Sequence, residues 1–451
     1  MQKKTISRRH FVMTGALAFA SVAGRRTVRS HASPNEKLHT AHVGVGGKGR
    51  GHLKRCAEKE MVVALCDVDD KMAAQSYAEY PDVPRYKDYR VMLEKQKDID
   101  AVVIATPDHT HAVIAMAAME HGKHVYVEKP LTHSIYEARM LAEAALRFGV
   151  VTQMGTQGHS MDGVRETCEM LWDGAIGKVR EVHCFTNRPI WPQGLADLLP
   201  TQPVPETMQW DLWLGPAPDR SYNEGYAPDN WRGWWDFGCG ALGDMGCHIM
   251  DTAFWALHLG APASVEPTLQ EGLTLQSPPL KSIIKYSFPE RVHEGETLNP
   301  VVLYWYDGSL APPCPDSISK ESWPQEGADG TVFVGDEGHL KCDVFGQDPQ
   351  ILPEEKMKDY KKPDPILERV TGPDSTGDNA HRDNWLAACK GQGSAVSEFG
   401  YSGPLTEMVH LGNVALRAGS RIEWDSKKME VTNLPEANRF VRRAYRDGWS
   451  L

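Results

Sequence analysis

Short apolar, β-rich runs alternate with helical segments from residue 40 to residue 154, and this rhythm restricts the fold more than any other feature of the chain. It predicts strands over 40–44, 61–66, 101–105, 124–127 and 150–154. Helices are expected over 49–58, after Asp69, over 110–119 and over 134–147. Strands that are apolar throughout, rather than at every second residue, belong in a sheet covered on both faces. Strands separated by helices pair in parallel, so region 38–155 is expected to be an α/β, doubly wound Rossmann domain.

The rhythm changes after Gly155. A helix over 164–172 and a strand over 179–185 lead into a Pro-rich stretch, 188–235, that holds Trp191, Trp210, Trp213, Trp231, Trp234 and Trp235. A loop of that length in a compact protein is usually functional. A helix over 244–258 follows, then strands over 282–288, 301–306, 331–334 and 339–343, a surface loop over 353–378, and helices over 379–390 and 404–418. Several strands after one helix predict an α+β second domain, region 156–451, around an open, mostly antiparallel sheet. Two domains also suit 451 residues, which exceed one comfortable core.

The first strand runs into Gly44-Val45-Gly46-Gly47-Lys48-Gly49. Such a motif is weak alone, but here it ends a strand and opens a helix. Gly44 makes the turn, Gly46 and Gly47 let backbone approach a pyrophosphate, and Gly49 starts the helix whose N-terminus attracts that anion. Asp67 ends the second strand about 20 residues on, where a carboxylate accepts both ribose hydroxyls and repels a 2′-phosphate. NAD is therefore favoured over NADP. Thr106 and Pro107, at the end of the fourth strand, are expected on the nicotinamide side. His109 and His111 start the next helix beside it.

Composition removes several classes. The net charge is -11, and no basic stripe follows the first thirty positions, so nucleic acid is not an expected partner. Region 1–32 carries Ser7-Arg8-Arg9-His10-Phe11, then an apolar run too short to span a bilayer, with cleavage open between Ala23 and Ala32. This reads as a twin-arginine export signal, which implies a periplasmic protein without stable membrane insertion. Nine cysteines without CxxC spacing indicate neither a disulfide framework nor a zinc ribbon.

Val125-Tyr-Val-Glu-Lys-Pro130 delivers Glu128 and Lys129 from an apolar strand into a turn, and Asp244 and His248 lie one helical turn apart. Together with the Gly44 motif and the Gly240 to Asp251 segment, these residues resemble the Gfo/Idh/MocA oxidoreductase family. The resemblance implies a Rossmann domain followed by an open sheet that binds substrate and packs in homodimers or homotetramers. It also implies a cis Lys129–Pro130 bond that aims Lys129 at a nicotinamide, with Glu128 in the cofactor-facing set.

Taking a hydride from an alcohol carbon requires the hydroxyl proton to leave as well, so a base must reach that oxygen. His248 suits this role because an unperturbed imidazole, with a pKa of about 6.5, is largely neutral near pH 7. Asp244 orients the imidazole or the substrate, and Lys129 stabilises the developing alkoxide. For an isolated Asp-x-x-x-His, a core histidine and a helix N-cap would be the plainer reading; the flanking glycines and Lys129 favour chemistry. A metal on Asp244 and His248 is open on residue type alone but is not the expectation. Trp231 and Arg232 are candidate sugar contacts. Arg188, Asn230, Trp191, Trp234 and Trp235, and then His159, Arg165 and His183, stand behind them, since large aromatics also anchor loops. Asp251 is expected to brace the site.

The expected function is an oxidoreductase acting on a hydroxyl or keto carbon of a sugar, polyol or glycoside. Export away from free nicotinamide implies tightly held NAD regenerated in place. A glycosidase working by transient oxidation and elimination is the alternative. The resemblance implies that relatives of that type replace the lysine that is present here as Lys129. A non-catalytic NAD- or sugar-binding protein is the third reading.

Overall fold

The computed structural model describes residues 36–370, 372 and 376–451. The export segment expected over 1–32 lies outside them. Strands β1 (His39–Val43), β2 (Met61–Cys66), β3 (Arg85–Tyr86), β4 (Ala101–Ile104), β5 (His124–Val127) and β6 (Thr152–Met154) form a parallel sheet in the order β3-β2-β1-β4-β5-β6. The order reverses between β1 and β4, and a crevice opens beyond the carboxyl ends of these two strands.

Burial on both faces explains why these strands lack alternation. Ala41, Val43, Val102, Ile104, Val125 and Val127 join the main apolar core. Ala101, Val103 and Tyr126 point the other way, against Cys56 of helix Gly47–Lys59 and Trp385, Leu386 and Cys389 of helix Gly377–Cys389. Residues far along the chain thus complete the cover of the first sheet. Trp385 is 1% exposed, and removing such a buried ring costs about 3–5 kcal/mol. Helix Phe399–Ala418 also lies against helix Ile135–Phe148, with the Arg139 guanidinium on Glu407 at 2.6 Å.

The second sheet contains β7 (Val179–Phe185), β8 (Ser264–Glu271) and β9 (Lys281–Phe288). After a separate hairpin of β10 (Arg291–His293) and β11 (Glu296–Leu298) it continues with β12 (Val301–Tyr306), β13 (Gly330–Gly335), β14 (His339–Cys342), β15 (Gln350–Leu352), β16 (Ile422–Asp425) and β17 (Glu430–Val431). Its order is β15-β14-β13-β7-β12-β9-β8-β16-β17, antiparallel except for β7 beside β12. Strand β9 alternates buried and half-exposed residues, as expected of a sheet covered on one face. Strand β8 escapes the sequence pattern because Pro267 falls within it and the register shifts between Pro267 and Leu269.

The helix expected over 244–258 is two helices, Gly240–Ile249 and Asp251–Ala256. The Thr331 hydroxyl donates to the Ile249 carbonyl at 2.9 Å, a hydrogen bond made outside the helix where the two segments meet. Asp244 therefore sits inside a helix and is not an N-cap. The loop expected over 353–378 contains a short exposed helix, Glu354–Asp359, and is anchored where the Glu169 carboxylate accepts from the Ile366 and Leu367 amides at 2.8 and 2.9 Å.

Candidate active site

A cavity of about 510 Å³ lies over the crevice between β1 and β4. Its floor is the glycine turn. Gly44 has φ +78, and a Cβ there would lie 2.6 Å from the Ala105 carbonyl oxygen; a Cβ on Gly49 would lie 1.9 Å from the Gly44 carbonyl oxygen. Only hydrogen fits at either place. Gly46, the N-cap of helix Gly47–Lys59, makes no side-chain cap, and the first turn carries no acid. The amides at that helix start are left for an anion. Gly44, Gly46, Gly47 and Lys48 line the cavity, whereas Gly49 lies behind it and sets the close approach of helix to strand.

Asp67 lines the same cavity, and its carboxylate accepts from the Val45 amide at 2.9 Å and the Asp69 amide at 3.0 Å. Burial pushes its carboxyl pKa upward. Beyond it the cavity is roofed by segments the sequence pattern did not connect with it: Lys87, Tyr89, Met208, Trp213 and Trp449. Backbone pairing holds the roof, with the Gln209 amide on the Val68 carbonyl and the Asp70 amide on the Thr207 carbonyl, both at 2.9 Å. The Arg90 guanidinium covers the Trp449 ring at 4.6 Å, and Arg446 ties the C-terminal segment to Asp211. No spacing rule links such distant positions.

Thr106 and Pro107 form the opposite wall. His111, expected in cofactor contact, is buried behind that wall, and its two ring nitrogens face the Pro130 and Thr106 carbonyls at 2.9 and 2.8 Å. It fixes two wall segments rather than reaching the cavity. His109 likewise bridges the Phe237 and Trp213 carbonyls. Glu128 reaches the cavity, with Oε1 2.6 Å from His52 Nε2. Although burial opposes its charge, His52 and the nearby lysines hold its carboxyl well below the usual range.

The Lys129–Pro130 bond is cis. Lys129 Nζ donates to the Asp244 carbonyl at 2.5 Å and to Asp244 Oδ1 at 2.8 Å. His248, one turn further on, lines the same cavity, and its buried Nδ1 has no hydrogen-bond partner among the described residues. Burial first, and then the Lys129 ammonium, push the imidazole down to about 3, so it stays neutral at pH 7. Asp244 is opposed by burial, but Lys129 and Arg232 bring its carboxyl down to about 2. With Asp244 committed to cationic side chains, a metal ion between Asp244 and His248 is disfavoured.

Trp231, Arg232 and Arg188 also line the cavity, whereas Trp191, Asn230, Trp234 and Trp235 do not. Trp234 is fully buried in a satellite core with Trp213, Tyr226 and Phe237. Asp251 braces a different place, receiving the Tyr401 hydroxyl at 2.5 Å and facing His159 Nδ1 at 2.9 Å. Arg165 donates to backbone carbonyls, and His183 lies on the second sheet beside Tyr304 and Tyr306. Neither reaches the cavity.

Residues 38–156 match the NAD-binding Rossmann fold of the Gfo/Idh/MocA oxidoreductase family, and residues 164–268 match its C-terminal alpha/beta domain. The chain belongs to that family. Among curated relatives of this family member, 2,7-anhydro-N-acetylneuraminate hydratase from Mediterraneibacter gnavus is 30% identical over 34% of this chain and 40% of its own length. Inositol 2-dehydrogenase from Burkholderia multivorans is 28% identical over 39% of this chain and 54% of its own. The match thus spans about half or less of these relatives. Solved structures similar in fold include the WlbA dehydrogenase from Bordetella pertussis in complex with NADH and UDP-GlcNAcA, with a TM-score of 0.60, 17% identity, and coverage of 86% of this chain and 99% of that one. A levoglucosan dehydrogenase in complex with NADH gives a TM-score of 0.56 at 17% identity, covering the same shares of the two chains. The N-terminal part is therefore an NAD-binding Rossmann domain, and the glycine floor, the uncapped helix start and Asp67 fit that cofactor.

Proposed function

We propose that this chain is an exported, periplasmic oxidoreductase that moves a hydride between tightly held NAD and a hydroxyl or keto carbon of a sugar or polyol. One observation carries the proposal: Lys129, Asp244 and His248 line the same cavity as the glycine floor and Asp67. NAD bound on that floor supplies the hydride acceptor. Lys129 donates a hydrogen bond to the reacting oxygen and stabilises negative charge there. Asp244 holds the ammonium in place through two contacts. Neutral His248 accepts the hydroxyl proton as the hydride leaves and passes it on to solvent, and the reverse transfer protonates the oxygen when a ketone is reduced. Trp231 and the roof exclude water from the reacting carbon.

Tight retention is supported by Met208, Trp213, Tyr89 and Trp449 over the Asp67 end of the cavity. Association as a homodimer or homotetramer follows from the family resemblance, and half-exposed Ile283, Val302 and Tyr304 on the second sheet suit it. Export rests on Ser7-Arg8-Arg9-His10-Phe11.

Transient oxidation followed by elimination is the second reading, favoured by the relative named as a hydratase. A sugar and glycoside panel, read by nicotinamide absorbance and by glycoside cleavage, separates the two. Net reduction of bound NAD supports the dehydrogenase; cleavage without net reduction overturns it.

A further inference from the structure

Lys129, Arg232 and Arg188 converge on a single carboxylate. Asp244 Oδ1 lies 2.8 Å from Lys129 Nζ and 3.0 Å from Arg232 Nε, and Oδ2 lies 3.7 Å from Arg188 Nε. Among the described residues, no other carboxylate is at ion-pairing distance from any of the three. The remaining acids nearby are engaged elsewhere or open to water. Glu128 pairs with His52, Asp108 accepts from the Cys239 amide while burial favours its neutral form, and Asp229 is exposed. Three positive charges therefore meet one negative charge around Asp244, and the Glu128 carboxylate, which also feels Lys129 from its place beside His52, still leaves the cations in excess where substrate must sit.

The arginines are also poised. The Arg232 guanidinium lies 4.2 Å over the Trp231 ring, and Trp231 is a rigid platform that is 7% exposed. Arg232 reaches Asp244 through Nε alone, and among the described residues its terminal nitrogens have no acceptor. The Arg232 and Arg188 side chains remain 35% and 24% exposed toward the cavity. A stacked guanidinium with free terminal N–H groups matches a planar or tetrahedral oxyanion. Neutral hydroxyls would leave this surplus charge uncompensated once substrate displaces water.

We propose that the substrate carries an oxyanion, a carboxylate or phosphate on the sugar or polyol, which docks between Arg188 and Arg232 while the reacting hydroxyl faces Lys129 and His248. The proposal rests on the oxidoreductase reading above. To test it, holoprotein is titrated with D-glucose, D-glucuronate and D-glucose 6-phosphate, and with the galactose counterparts, following tryptophan fluorescence at low and high NaCl. At least one acid binds about tenfold or more tightly than its neutral parent, and the preference shrinks with salt. The arm that binds tells carboxylate from phosphate. Arg188→Gln and Arg232→Gln each lower the acid-to-neutral affinity ratio by about tenfold.

The proposal is overturned if no acid binds better than its parent, including no detectable binding of any acid, or if the ratio is unchanged in both variants. Reduction of bound nicotinamide by neutral sugars alone would remove this proposal and leave the oxidoreductase standing. Acid-selective binding with no nicotinamide response to any compound would do the reverse.

Discussion

At the floor of the cavity, shape is set by backbone: Gly44 and Gly49 leave no room for a methyl group, and the Val45 amide is pinned to Asp67. At the other end, chemistry is set by side-chain charge, with Lys129, Arg188 and Arg232 gathered on Asp244 beside a neutral His248. The first end is built from residues close in sequence, the second from three separate segments. A site made of backbone fails when it is filled. A site made of charges fails when one partner is removed, even though the fold survives.

That contrast predicts which variants separate binding from turnover. His248→Asn lowers turnover by about 10²–10⁴ while purified protein still carries NAD, measured by single-turnover absorbance and by the cofactor released on denaturation. Lys129→Ala costs about 10²–10³ in turnover with the cofactor likewise retained. Loss of NAD from either variant would break the division between the two ends.

Acid separates the ends differently. His42, His109 and His248 are each pushed down to about 3, with burial the first cause in every case. The unfolded chain takes up these protons near pH 6.5, whereas the folded chain does not until about pH 3. Their neutral burial therefore weakens the fold progressively as pH falls through that window. Asp244, held near 2, adds a further loss below its ordinary range of about 4. Denaturant melts at pH 7 and pH 5 are expected to differ by at least about 2 kcal/mol, and turnover over the same range shows no inflection from His248.

Gly49→Ala places a methyl group 1.9 Å from the Gly44 carbonyl oxygen unless the turn shifts. It is expected to cost about 1–3 kcal/mol in stability and to empty the cofactor site, read by thermal melting and cofactor content. The smallest effect falls on the roof. Trp449→Ala speeds NAD release by about tenfold or less, measured by chasing bound cofactor with a labelled copy.

The legible parts of this molecule are those with local causes. The parallel sheet is legible because β2 and β4 are apolar throughout and the elements alternate strand with helix, and the glycine turn is legible because it joins a strand to a helix; β1 and β5 carry Thr40, His42 and Tyr126 on one buried face. Residue type and spacing single out Lys129, Asp244 and His248, and the fold brings the three to one cavity. His111, expected to face the cofactor, faces two backbone carbonyls instead, because a position beside the turn is compatible with either and only the tertiary structure decides it. Trp449, Met208 and the cover of the first sheet by Trp385 were invisible because tertiary contacts across hundreds of residues leave no periodic trace. Strand β8 leaves no strand pattern in the sequence for a local reason, a proline at a register shift.

The most direct test is to mix holoprotein with the sugar and sugar-acid panel and follow absorbance of the bound nicotinamide, with Lys129→Ala and His248→Asn alongside. Reduction of close to one cofactor per chain by at least one compound, slowed by both variants, is the predicted result. Bound NAD that no compound reduces, with no glycoside cleaved, would contradict the assignment of these residues to hydride chemistry.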